Sequence, residues 1–75
     1  MKIKVTEANA NTLLQLFEHD YEIYINDNAI DYIYVSDGEM IVEIEGYDRN
    51  IDFGEEIDVR VVQVIRNEVE VSFEG

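Results

Sequence analysis

Asp37-Gly38, set between two alternating flanks, constrains this chain's fold more than any other feature it carries. A two-residue hairpin loop of type I′ needs positive φ at both central positions, which Asp tolerates and Gly adopts freely. Such a loop makes Ser36 face Glu39. Counting outward puts Val35 opposite Met40, Ile33 opposite Val42 and Asp31 opposite Ile44 on one face of the hairpin. Tyr34 then lies opposite Ile41, and Tyr32 opposite Glu43, on the other face. The first face reads as core. The second combines two tyrosines, an isoleucine and carboxylates, which suits a surface that meets another molecule better than one that meets only water.

Seventy-five residues make a single domain with a thin core, since a chain this short buries only about 60% of its unfolded surface. Carving an enzyme cleft from it is difficult. Without cysteine there is neither a disulfide framework nor a thiolate zinc site. No apolar run is long enough for a secretory signal or a membrane span, so a cytoplasmic protein is expected. The patterned 47% hydrophobic content argues for a folded globule despite a net charge of −13.

Ile3 and Val5 alternate with Lys2 and Lys4 in a first strand. Thr6 is suited to cap a helix and Glu7 to its first turn. Ala10, Leu13, Leu14 and Phe17 form the apolar stripe of that helix. Asn9 and Asn11 disfavour its opening, so the helix is expected to begin near Asn11 and to end by His19 or Asp20. His19, the one histidine, falls at the helix C-terminus, where the dipole favours a cation. Tyr21–Ile25 alternates as a strand, and Asn26-Asp27-Asn28-Ala29 reads as a turn into the central hairpin. The acids and amides there lack the spacing of a calcium loop. Gly46 to Glu56 reads as a long loop with Ile51 and Phe53 as apolar anchors. The alternation from Ile57 breaks at Val61-Val62, where a bulge is expected before Val62 and Val64 continue on the other phase. Arg66-Asn67 reads as a tight turn and Glu68–Phe73 as a last strand.

The expected fold is therefore α+β, with one helix packed on a bent, mainly antiparallel sheet of five or six strands, or on a partly closed barrel. The segment GEEIDVRVVQVIRNEVEVSFEG resembles the closing hairpin of OB-type RNA-binding barrels. Those barrels bind nucleic acid through basic grooves and exposed aromatics, and here only the aromatics are present.

Fifteen of the eighteen acids lie between Val5 and Val59, where Arg49 is the one base. Charge on this scale opposes compaction and exceeds what solubility requires. Direct binding of DNA or RNA is not expected, because affinity for phosphate comes from Lys and Arg. The partner should be positive, and many strongly positive surfaces in a cell exist to hold nucleic acid. Alternate carboxylates on one strand project about 7 Å apart and neighbouring strands lie about 4.8 Å apart, so several strands together approach the charge density of DNA.

In size, acidity and absence of a catalytic constellation, the chain resembles the phage-encoded anti-defence inhibitors, the anti-CRISPR and anti-restriction DNA mimics. That resemblance implies stoichiometric binding to a Cas effector or restriction enzyme, with DNA kept out. Acids would then steer association while Tyr24, Tyr32, Tyr34 and Tyr47 anchor it. The candidate contact residues are these four with Ile41, Glu43, Glu45, Asp48, Asp52, Glu55 and Glu56. An immunity protein or antitoxin directed at a basic nuclease toxin would use the same surface. Glu55-Glu56 could be imagined as acid and base, but no cofactor motif or phosphate loop accompanies them, so neither catalysis nor a cofactor is expected. A monomer or homodimer fits either reading.

Overall fold

The computed structural model describes residues 1–63, 65 and 67–75. In chain order the elements are β1 (Lys2–Lys4), α1 (Glu7–Glu18), β2 (Glu22–Ile25), β3 (Asn28–Ala29), β4 (Tyr32–Ser36), β5 (Glu39–Ile44), β6 (Tyr47–Asp52) and β7 (Glu56–Val62). The strands form two antiparallel sheets, ordered β1-β7-β2-β3 and β4-β5-β6, and neither closes into a barrel. The α+β class with one helix is as the sequence predicts.

Both sheets and the helix share one core. Ile3 and Val5, Ala10 and Leu13, Ile23 and Ile25, Ile33, Met40, Val42, Ile51, Ile57, Val59 and Val61 are all buried in it. Each fully buried aliphatic side chain contributes about 1.5–3 kcal/mol. Helix α1 starts at Glu7, earlier than expected. Thr6 caps it by accepting a 3.1 Å hydrogen bond from the Asn9 backbone N–H. Asn9 fits because its side chain works outside the helix: buried to 1% exposure, it donates to Lys4 O (2.8 Å) and Glu74 O (2.9 Å) and accepts from Glu74 N (2.7 Å). The helix closes at His19, whose backbone N–H donates to Gln15 O and Leu16 O.

The register counted from Asp37-Gly38 holds from Ser36↔Glu39 to Tyr32↔Glu43. The loop itself differs, because only Gly38 (φ 77°) has positive φ, so it is not type I′. Asp31 is not paired with Ile44 on the core face. It is exposed, its N–H donates to Glu43 O at 2.7 Å, and its carboxylate accepts the Glu45 N–H.

Positive φ at both loop positions occurs instead at Asn26-Asp27 (49° and 66°) and Glu45-Gly46 (52° and 84°). Asn26-Asp27 pairs Ile25 with Asn28, so Asn28–Ala29 is a short strand where a turn was expected. Glu45-Gly46 pairs Ile44 with Tyr47, so Tyr47–Asp52 is a strand where a loop was expected. Ile51 does anchor it, fully buried, with Phe53 half-buried beyond.

No bulge forms at Val61-Val62. The register of β7 with β2 runs unbroken from Val59↔Ile25 to Val62↔Glu22, and the change of phase is resolved by ending the strand. Val64 and Arg66, and with them part of the expected continuation and turn, lie outside the described residues. Glu68–Phe73 is not a strand either. Among the described residues it makes one bridge, Val62↔Glu68, and one bond from Val69 N to Val61 O at 2.9 Å. The reason is lack of edge: on that side of β7 the chain before and within β1 occupies everything up to Val59, whose N–H donates to Met1 O. The tail is held mainly by half-buried Val71 and Phe73 and by Asn9.

Candidate partner-binding face

Strand alternation fixes what each sheet turns away from the core. On β4-β5-β6 the outer face has three cross-strand rows, Tyr32–Glu43–Asp48, Tyr34–Ile41–Asn50 and Ser36–Glu39–Asp52. Two carboxylates therefore stand directly opposite two others, Glu43 against Asp48 and Glu39 against Asp52. Like charges so placed destabilise a sheet.

The hydrogen-bond phase brings them closer still. Asp52 N–H and C=O both bond to Glu55, away from β5, while the Phe53 N–H turns to Gly38 O. The Asp52, Asn50 and Asp48 rows are thus the non-hydrogen-bonded rows between β5 and β6, where Cα atoms approach to about 4.5 Å. Among the described residues, none of the four carboxylates forms an ion pair with Lys or Arg. Glu39 is partly compensated by Asn50, whose Nδ2 donates to both of its carboxylate oxygens at 3.2 Å.

Beside the acids stand two tyrosines. Tyr32 and Tyr34 are 53% and 41% exposed, with ring centroids 5.9 Å apart. Phe17 of α1 meets Tyr32 edge-on at 6.1 Å, which fixes the position of that ring at low entropic cost to a later contact. Ile41, placed in sequence among the contact residues, is only 9% exposed. It lies between Tyr34 and Asn50, outside the main core, and serves as the floor of this face.

The remaining candidates divide. Glu45 occupies the β5–β6 turn, and Tyr47, 79% exposed, follows it on the core-side row opposite Ile44. They border the acidic face at one end without belonging to it. Glu55 is engaged with Asp52. Tyr24 and Glu56 lie on the other sheet, where Tyr24 holds the Arg60 guanidinium 4.4 Å above its ring and Glu56 pairs across from Lys4. Of the eleven candidate residues, Tyr32, Tyr34, Ile41, Glu43, Asp48 and Asp52 share this face.

Glu39 and Asn50 belong with them and were not singled out. In sequence Glu39 reads as the turn-flanking residue opposite Ser36, and Asn50 falls in the segment that reads as a loop. The signal was Glu45-Gly46, a two-residue spacing equal to that of Asp37-Gly38.

The two sheets differ electrostatically. The outer face of β1-β7-β2-β3 interleaves Lys2, Lys4 and Arg60 with Glu56 and Asp58, while that of β4-β5-β6 carries acids and no base. The described residues include no cluster of three or more His, Cys, Asp or Glu side chains able to hold a metal ion, and no helix long and apolar enough to cross a membrane. Comparison of the chain with protein families, curated proteins and solved structures finds no match.

Proposed function

We propose that the protein is a stoichiometric inhibitor that occupies a basic, nucleic-acid-binding surface of a defence nuclease, as an anti-CRISPR or anti-restriction DNA mimic. The observation that carries this reading is the pairing of Glu43 with Asp48 and of Glu39 with Asp52 on a face bordered by exposed Tyr32 and Tyr34. Each like-charge pair costs stability in a 75-residue domain with little to spare, and among the described residues neither is relieved by a Lys or Arg. A positive partner relieves both. The two pairs are four residues apart on β5, about 14 Å, comparable to the roughly 12 Å width of the DNA major groove between its phosphate rows. The tyrosines supply the rigid, partly apolar anchors that charge alone lacks.

The test is competition. A nuclease retained by the immobilised protein should be released by excess duplex DNA and should fail to bind once DNA is in place. A stable ternary complex that still cannot cleave would contradict mimicry and indicate inhibition through conformation. Retention of a basic nuclease toxin, neutralised through the same face, would make this an immunity protein or antitoxin.

A further inference from the structure

The backbone of β6 carries a second recognition feature. Asp52 N–H donates to Glu55 Oε2 at 2.7 Å and Asp52 C=O accepts from Glu55 N at 3.1 Å, both away from β5. Backbone groups alternate along a strand, and the β5–β6 register is unbroken from Asp52 to Tyr47, so the N–H and C=O of Asn50 and Asp48 point the same way. Among the described residues these groups make no hydrogen bond, and Tyr47 to Asn50 are all exposed. The result is an open sheet edge two outward residues long, closed at one end by Glu55.

We propose that this edge adds an extended segment of the partner protein as a fourth strand, with Lys or Arg at every second position. The proposal rests on the inhibitor reading for the sign of the partner's charge, and on the β6 backbone for its geometry. Added residues opposite Asp48 and Asn50 would project over the acidic face, where one cation lies beside the Glu43–Asp48 pair and the other diagonal to Asp52. The residue between them would lie beside Arg49, with Tyr47 and Ile51 on either side, which favours an uncharged side chain there. A second copy of this chain is a poor occupant. It carries the same −13 charge, and antiparallel self-pairing centred on Asn50 sets Asp48 against Asp52. Strand addition of this kind draws affinity from main-chain bonds and specificity from alternate side chains.

The probe is a short capped peptide alternating lysine and valine, added at low salt to the full chain. Amide exchange of Asp48 and Asn50 should slow by at least about ten-fold on binding, as new ladder bonds form. Asn50→Pro removes one outward N–H without touching the ladder to β5, a substitution that edge strands tolerate. It should weaken the peptide by at least about ten-fold, whereas Asn50→Ala, which keeps the N–H, should stay within about three-fold. Unchanged exchange at both amides overturns the proposal, and so does equal affinity for Asn50→Pro. The exchange result decides alone if that variant does not fold. If Glu43→Lys with Asp48→Lys abolishes binding while Asn50→Pro does not alter it, the strand addition is wrong and the acidic-face reading stands. If neither changes binding, both fall.

Discussion

Neutralising one member of a like-charge pair should make this protein more stable, and the gain should not repeat when the second member is neutralised. Glu43 and Asp48 stand opposite each other in a non-hydrogen-bonded row. With Cα atoms about 4.5 Å apart, their carboxylates come within about 5 Å, where two charges repel by about 0.8 kcal/mol in water. At physiological salt, with a Debye length of about 8 Å, roughly half of that survives. Glu43→Gln or Asp48→Asn alone should therefore stabilise the fold by about 0.4–0.8 kcal/mol, plus a smaller contribution from lowering the −13 net charge. The double variant should gain little more. Urea denaturation followed by circular dichroism reads this as a rise in midpoint of about 0.3–0.8 M for each single variant, given a slope near 1–1.5 kcal/mol/M. The double-mutant cycle isolates the pair from the general charge effect, and its coupling should disappear in about 1 M salt. A coupling indistinguishable from zero at low salt, or a loss of stability on neutralisation, would refute the geometry given to this face.

Other outcomes follow from the same structure. Ile33→Ala should cost about 2–4 kcal/mol in chemical denaturation, because the side chain is fully buried between the hairpin and the rest of the core. Asn9→Ala should cost about 2–4 kcal/mol and free the Glu74 amide to exchange, since it strands Lys4 O and both Glu74 backbone groups. Glu45→Asn should raise stability by about 0.5–1 kcal/mol in the same denaturation assay, because Glu45 is held at φ 52°, a conformation Asn adopts at lower cost.

The parts of this fold legible in sequence are those where one local signal settles the matter. Asp37-Gly38 has alternating flanks on both sides, and its register held although the loop conformation did not. Thr6 and the Ala10–Leu13–Leu14–Phe17 stripe likewise marked the helix. Strand β6 was hidden because an edge strand buries little. Tyr47 to Asn50 are exposed and Ile51 alone reaches the core, so no alternation appears in YDRNID. Losing β6 also hid half of the acidic face, since Glu39 and Glu43 acquire their opposing carboxylates only once Asp52 and Asp48 are in register. The role of Asn9 was invisible for a different reason: its partner Glu74 lies 65 residues away, and no propensity scale reports a contact at that distance. Tyr24 shows the converse, an aromatic that reads as an anchor in sequence but is already engaged by Arg60 across the strand.

The most direct test of the central claim is the association rate with a purified nuclease partner, measured against salt for the wild type and for the variant Glu39→Gln, Glu43→Gln, Asp48→Asn, Asp52→Asn. If the outer face of β4-β5-β6 steers the protein into a basic nucleic-acid channel, the wild type should associate at least about ten-fold faster than the variant at 50 mM salt. That advantage should shrink several-fold by about 300 mM, as the Debye length falls to roughly 6 Å. Equal association rates for the two proteins at every salt concentration would contradict the claim and remove this face from the mechanism.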